Sequence, residues 1–246
     1  MITHKNIGYN GRLGNQMFQY AALKVISLVM KQPIVLPDNI GIKQEGCFDF
    51  TNNVWIPYRL DLLDGFDLCC EINNIEGDNI IIDGYFQTYK HIKEYEEEII
   101  KEFKFKPHIL NSAQQIIKTY RNPVSIHVRR GDYVAHPKYW VITPEYIQAA
   151  LNEFNDDEYT FLVFSDDMDW YKQVFPEGVI FIEGNNQFED LCLMSLCKHN
   201  IISNSTYGWW GAFLNTNPNK KVIAPENWFL DKKDISYLYP ENWKII

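Results

Sequence analysis

The segment His127-Val128-Arg129-Arg130-Gly131-Asp132 holds the residue types, at the spacing, that can do chemistry in this 246-residue chain. It follows Pro123-Val124-Ser125-Ile126, and the alternation reads as a β-strand. Val124, Ile126 and Val128 share one face, and Ser125, His127 and Arg129 share the other, because successive strand side chains point to opposite faces. A strand ending in Arg-Arg-Gly-Asp delivers two guanidinium groups to the rim of a sheet. Each guanidinium is a rigid fork of donors that matches a phosphate. The chemistry implied is stabilisation of an anionic leaving group, best the diphosphate of a sugar nucleotide. The plainer use of Arg129 and Arg130 is a surface or interdomain ion pair. Asp132 is a candidate proton acceptor, or a carboxylate that orients an arginine.

Two more polar clusters sit at expected strand ends: Ser165-Asp166-Asp167 and Ser203-Asn204-Ser205-Thr206. Ser165 and Asp166 can simply cap the next helix. Ser203, Asn204, Ser205 and Thr206 precede a helix expected from Tyr207, and N–H groups and hydroxyls at a helix start favour a phosphate. Plain N-capping is the alternative there. Asn204-Ser205-Thr206 is also an N-glycosylation sequon, discounted because residues 1–6 carry no apolar signal core. Asp167-Met168-Asp169 has the Asp-x-Asp form of metal-dependent sugar-nucleotide enzymes, although a helix cap with a solvated carboxylate fits equally short evidence. No P-loop and no Gly-x-Gly-x-x-Gly is present. The loop Gly11-Arg12-Leu13-Gly14-Asn15-Gln16 resembles neither, but its glycines would let backbone approach a ligand closely.

The elements that must position these residues alternate in type. A helix is expected over about 15–31, with Met17, Ala21, Val25, Leu28 and Val29 as its core stripe. Pro33 to Pro37 reads as a short strand, 38–79 as irregular, and Ile80-Ile81-Ile82 with Tyr85-Phe86 as strand. Glu94 to Phe105 and Asn111 to Tyr120 read as helices, and a hinge fits at about 105–122. Then come strand Val124–Val128, helix Pro144–Phe154 capped by Thr143, strand Phe161–Phe164, a helix through Trp170 and Val174, and strand Val179–Ile182. Helix Phe188–Cys197, strand Ile201-Ile202, helix Tyr207–Leu214 and strand Lys221–Ala224 complete the series. Strands alternating with helices predict a parallel sheet of Rossmann type, in which ligands bind beyond the carboxyl ends of the strands.

Composition excludes several classes. A net charge of −9 disfavours sequence-independent nucleic-acid binding. Five cysteines, odd in number and without Cys-x-x-Cys, suggest reduced thiols rather than a disulfide framework or zinc site. No apolar run approaches the ~20 residues that span a bilayer, so a cytoplasmic location is expected, with peripheral membrane association left open. Aromatic residues reach 15 %, mostly as core, with some free to stack on sugars.

Three segments together resemble one family. They are Gly11-Arg12-Leu13-Gly14-Asn15-Gln16-Met17-Phe18-Gln19-Tyr20-Ala21-Ala22, His127 to Tyr133, and Ser203-Asn204-Ser205-Thr206-Tyr207-Gly208-Trp209-Trp210-Gly211-Ala212. In order and spacing they resemble the bacterial α-1,2-fucosyltransferases of glycosyltransferase family 11. The resemblance implies an α/β, GT-B-like arrangement of two Rossmann-type domains with the active site in the cleft between them. It places an acceptor-side domain at 1–118 and a GDP-fucose-binding domain at 119–246. The donor would be GDP-β-L-fucose, the acceptor the 2-hydroxyl of a terminal galactose in a glycan such as an O-antigen intermediate, and no cofactor or metal would be needed.

By the same resemblance, Arg129 would hold the β-phosphate with Arg130 beside it, and His127 and Asp190 would contact the guanosine. Ser205 and Thr206, in the Ser203–Thr206 loop, would bind phosphate, and Gly14, Asn15 and Gln16 would lie on the acceptor side. The chain departs from the family's common Ser-Phe-Ser at Thr206-Tyr207-Gly208, which keeps a hydroxyl at 206 and loses one at 208. Two other readings remain at this point: a metal-dependent transferase built on Asp167 and Asp169, and a non-catalytic glycan-binding protein.

Overall fold

A computed structural model describes residues 2–8, 11–36, 80–154, 158–167, 170, 172 and 174–246. Asp169, Cys47, Cys69, Cys70 and all of the irregular stretch 38–79 lie outside them, as do parts of the helix expected through Trp170. Among the described residues no helix is long and apolar enough to cross a membrane.

The chain divides into two compact units, Met1–Lys104 and Phe105–Ile246. In the first, strand β1 (Ile2–His4) pairs in parallel with β2 (Ile80–Ile82), and Ile2 also bridges Ile34. Helix α1 (Leu13–Met30) crosses between them and buries Leu13, Met17, Phe18, Tyr20, Ala21 and Leu23. The order β1, α1, Ile34, all parallel, is a right start for an α/β unit. Tyr85-Phe86 does not extend β2 as the sequence suggested. Phe86 adopts a left-handed φ of 51°, which ends extended pairing. The charged stretch from Glu94 becomes a short 3-10 turn and helix α2 (Glu96–Glu102).

The second unit begins with helix α3 (Pro107–Ile117), which falls on the near side of the 118/119 boundary drawn from sequence. It belongs here because it packs against α5 (Gln187–Leu196). A six-stranded parallel sheet follows: β3 (Pro123–Val128), β4 (Thr160–Ser165), β5 (Ile180–Phe181), β6 (His199–Ile201), β7 (Val222–Ala224) and β8 (Lys244–Ile245). Their spatial order is β5-β4-β3-β6-β7-β8. Counted from β3, that is the 3-2-1-4-5-6 order of a doubly wound sheet, and the winding reverses between β3 and β6.

Local chemistry sets these elements. Thr143 caps helix α4 (Pro144–Asn152), its Oγ1 accepting from Tyr146 N at 3.3 Å with Pro144 in the first turn. A full capping box of Asn186 and Glu189 starts α5. Val124, Ile126 and Val128 pack on Tyr146, Ile147, Ala150 and Leu151 on one face of the sheet. The other face carries a buried polar knot in which Asn200 Nδ2 donates to Ser125 Oγ (2.7 Å) and Met194 O (2.9 Å), and Asn215 Nδ2 donates to Asn200 Oδ1 (2.8 Å). Its donors are satisfied, as burial requires.

Candidate active site

Register places the site. Val128 pairs with Ser165 and Ile126 with Ile201, so 129–131, 166–167 and 202–206 leave the sheet side by side at its carboxyl end. This is the point where the winding reverses, the crevice in which such sheets hold ligands.

Ser203 ties the two central strand ends together. Its N–H donates to His127 O at 3.0 Å, and its Oγ accepts from Arg129 N at 3.1 Å and lies 3.1 Å from His127 Nδ1. Ser203 and Asn204 are fully buried, so they brace the loop from within. Asn204 Nδ2 donates to Trp140 O (2.7 Å) and Trp228 O (2.9 Å), which anchors two neighbouring loops. Ser205 is the N-cap of helix α6 (Thr206–Phe213), and its hydroxyl is not spent on a capping bond. The α6 N-terminus therefore stands beside the end of β3, with its positive dipole end and a hydroxyl at the rim.

Both arginines are held. Arg129, whose side chain is 17 % exposed, pairs through Nη2 with Asp132 Oδ1 and through Nη1 with Asp166 Oδ2, each at 2.6 Å. Its guanidinium carbon lies 5.7 Å from the Tyr133 ring centre. Asp166 Oδ1 also accepts from Arg130 N (2.9 Å) and Gly131 N (3.2 Å), so it organises the loop after β3 and does not cap the next helix as expected. That helix is approached instead by Ser165 and Asp167, which accept from Asp167 N (3.0 Å) and Trp170 N (3.4 Å). The Arg130 guanidinium carbon sits over the Trp170 ring, 4.0 Å from its centre, with Nε 3.4 Å from Asp167 Oδ2. The geometry there is a cation over an aromatic face with charge proximity rather than a hydrogen bond from Nε.

His127, Tyr207 and Asp190 lie on the elements next to this strand end. The His127 ring is fully buried and lies 5.3 Å from the Tyr207 ring. Burial holds its pKa down to about 4, with Asp166 opposing and Arg129 adding to the shift, so the ring is neutral at pH 7. Tyr207 donates its hydroxyl to Gln187 O, at the start of α5. Asp190, in the first turn of that helix, accepts from Asn185 Nδ2 at 3.0 Å, and burial pushes its pKa up to about 6.

Gly208 leaves no room for a side chain against His127. A Cβ there would lie 2.5 Å from His127 Nδ1 and 2.9 Å from Cγ. Gly208→Ala should gain about 1 kcal/mol of helix propensity but lose about 1–3 kcal/mol to overpacking, so the clash wins. The expected result is a lower melting temperature and a displaced His127 ring, visible as a shifted imidazole NMR signal. An unchanged signal would count against this packing.

Gly14, Asn15 and Gln16 belong to the first unit. Gln16 is buried and its Nε2 reaches Gly11 O at 3.4 Å, while Asn15 Oδ1 accepts from Gln87 Nε2 at 2.7 Å. Gly11, at φ 88°, is required there, because a Cβ would lie 2.3 Å from Asn15 Nδ2. Of the cysteines, Cys192 and Cys197 are free and buried, and burial raises both thiol pKa values.

Residues 67–246 match the family described as Glycosyl transferase family 11. The chain belongs to glycosyltransferase family 11. It is 28 % identical to an Escherichia coli O-antigen biosynthesis glycosyltransferase, WbnK, over 95 % of this chain and 97 % of that one. It is 30 % identical to an Escherichia coli alpha-1,2-colitosyltransferase over 95 % of each chain. It is 29 % identical to galactoside alpha-(1,2)-fucosyltransferase 2 of Gorilla gorilla gorilla, over 89 % of this chain and 75 % of that one. Among solved structures, NodZ alpha-1,6-fucosyltransferase soaked with GDP-fucose shares the fold, with a TM-score of 0.53 at 13 % identity over 87 % of this chain and 92 % of that one. The GT-B-type α/β fold is therefore that of this family 11 member.

Sequence reasoning missed Asp166, Tyr133, Trp170 and Tyr207. Asp166 was visible only as a polar residue after a strand. Its task depends on the β3–β4 register, which no local pattern encodes.

Proposed function

We propose that this family 11 protein transfers L-fucose from GDP-β-L-fucose to the 2-hydroxyl of a terminal galactose, forming an α-1,2 linkage with inversion. The observation that carries the reading is the junction made by Ser203, which fixes the Arg129 backbone beside the α6 N-terminus at the switch point of the sheet. A diphosphate laid there meets a guanidinium fork from one side and a helix N-terminus from the other. Arg129 and Arg130 would take the phosphates, with Ser205 and Thr206 from the helix start. His127 and Asp190 would hold the guanosine, and Gly14, Asn15 and Gln16 would serve the acceptor.

The step follows from charge. The bond between the anomeric carbon and the β-phosphate oxygen breaks, and its electron pair stays on GDP. The galactose 2-oxygen bonds to the anomeric carbon from the opposite face and gives up its proton, for which we assign Asp132, the more exposed of the two carboxylates paired with Arg129. Charge growing on GDP meets a cation already in place, so the chain's own residues supply the stabilisation. No cofactor enters this reading. The glycan we assign is an O-antigen intermediate, which the likeness to an O-antigen biosynthesis glycosyltransferase supports; we place the reaction in the cytoplasm.

Guanine offers two parallel N–H donors that suit a carboxylate. Asp190 titrates at about 6, raised by burial. Below that pH it carries a proton and loses half its acceptor capacity. GDP affinity should therefore fall as pH drops through about 6, and Asp190→Asn should bind GDP weakly with no such step. Calorimetry from pH 5 to 8 checks this, and an unchanged step in the variant would remove Asp190 from the base pocket.

The deciding assay is acceptor-dependent release of GDP from GDP-fucose, with lactose as acceptor and EDTA present. Release with an α-1,2-linked product establishes the reading. GDP binding without release on any galactoside would refute the acceptor, and no GDP binding would refute the donor. The likeness to an alpha-1,2-colitosyltransferase makes GDP-colitose, the 3-deoxy counterpart of GDP-fucose, the second donor to run.

A further inference from the structure

The two strands of the first unit end together. His4 pairs with Ile82, and Lys5 N donates to Ile82 O at 2.8 Å, so segments 5–12 and 83–88 leave the parallel β1–β2 pair side by side at its carboxyl end. Helix α1 starts from the first of these segments. In the second unit the end of β3 carries guanidinium groups. Here the polar groups brought together are amides: Asn15 and Gln16 near the start of α1, and Gln87 from the loop after β2. A primary amide offers donors and an acceptor without net charge, which matches a sugar hydroxyl better than a phosphate.

The loop that carries Gln87 is strained. Gly84 lies at φ 139°, and Phe86, which has a side chain, at φ 51°. Left-handed backbone at a bulky residue persists only where its surroundings over-determine it. The buried His4 ring accepts from Asn6 N through Nδ1 at 3.1 Å, so its Nε2 carries the proton and donates to Gly84 O at 2.7 Å. The same ring meets Phe86 edge-on, 5.8 Å between centres. On the other side Thr88 N donates to Phe86 O at 2.8 Å, and the Thr88 side chain caps the 3-10 turn Tyr89–His91. Gln87 stands between these anchors, and the bend delivers its Nε2 to Asn15 Oδ1 at 2.7 Å. Both residues are half-buried, so the pair is within reach of a ligand.

We propose that Gln87 is a positioning residue of the acceptor site: by donating to Asn15 Oδ1 it sets which edge of that amide a sugar hydroxyl meets, a role that rests on the acceptor reading of Asn15 given above and adds the residue that orients it. The other edge of the amide, Nδ2, lies over Gly11, where a Cβ would stand 2.3 Å away. The strain at Gly84 and Phe86 then has a use. An extended continuation of β2 would alternate side chains across the sheet, whereas the left-handed turn aims Gln87 at the start of α1.

The test is transfer from GDP-fucose to lactose, with GDP affinity by calorimetry, for wild type, Gln87→Glu, Asn15→Ala and the double variant. Gln87→Glu keeps size and shape, but its carboxylate repels Asn15 Oδ1 and attracts Nδ2. Its KM for lactose should rise about tenfold, the worth of one misdirected hydrogen bond, with GDP affinity and melting temperature unchanged. In the Asn15→Ala background the same exchange should add nothing, because Gln87 acts through Asn15. An unchanged lactose KM in Gln87→Glu overturns the proposal. So do effects that add in the double variant, and so does a fall in GDP affinity or melting temperature alongside the rise in KM, since Gln87 would then serve the donor or the fold. A wild type that binds GDP but transfers to no galactoside refutes the acceptor reading instead, so the two failures are distinct.

Discussion

Arg129→Ala is expected to cut the transfer rate by about a hundredfold or more, equivalent to at least ~3 kcal/mol of lost transition-state stabilisation. The magnitude follows from how the guanidinium is held. It is largely buried, fixed by two carboxylates at 2.6 Å, and faced by the Tyr133 ring, so it needs no reorganisation when charge develops on the departing phosphate. Arg129→Lys should recover little, because an ammonium is a point charge and cannot grip a phosphate oxygen and Asp166 in one plane. Removing the cation leaves Asp132 and Asp166 facing each other, so kcat must be read beside a melting curve. The lysine variant, which keeps a charge between them, guards against a folding artefact. Turnover within threefold of wild type in a folded Arg129→Ala protein would end the clamp assignment.

The largest effect on stability should come from Trp209→Ala, with a loss of about 3–5 kcal/mol for an aromatic-to-alanine change in a core. Trp209 is fully buried. Its ring stacks on Phe213 at 4.8 Å, meets Trp210 edge-on at 5.1 Å, and lies 5.5 Å from Trp243. Its Nε1 donates to Leu238 O at 2.8 Å, so alanine would also orphan a buried carbonyl. Chemical denaturation checks the value. Trp209→Phe, which keeps one ring of the stack and loses the donor and the second ring, should cost distinctly less. A loss below ~1 kcal/mol for alanine would mean that the aromatic cluster does not hold α6 in place.

The parts of this molecule that were legible in the sequence are those set by short-range pattern. The buried run of β3, the Thr143–Pro144 start of α4 and the helix after Ser205 lie where periodicity and capping put them, because each is decided within a few residues. Strands β1 and β8 escaped notice, being too short to show a period: three and two residues whose pairing depends on partners far along the chain. The arginines were visible because paired guanidiniums at a strand end are unusual. Asp132 was legible beside them as a carboxylate that orients an arginine, but the second counter-ion, Asp166, was not, since it meets Arg129 only through the register of β3 on β4. For the same reason Ser203 and Asn204 looked like ligand contacts, whereas burial makes them braces.

Ser203 has one more consequence. A single hydroxyl oxygen lies 3.1 Å from the His127 imidazole and accepts from the backbone N–H of Arg129. The two halves of the nucleotide are therefore not sensed separately. On the proposed reading, a displacement of His127 by an ill-fitting base would reach the Arg129 backbone through one oxygen atom. Discrimination among nucleobases would then be expressed in the rate of the chemical step as well as in affinity.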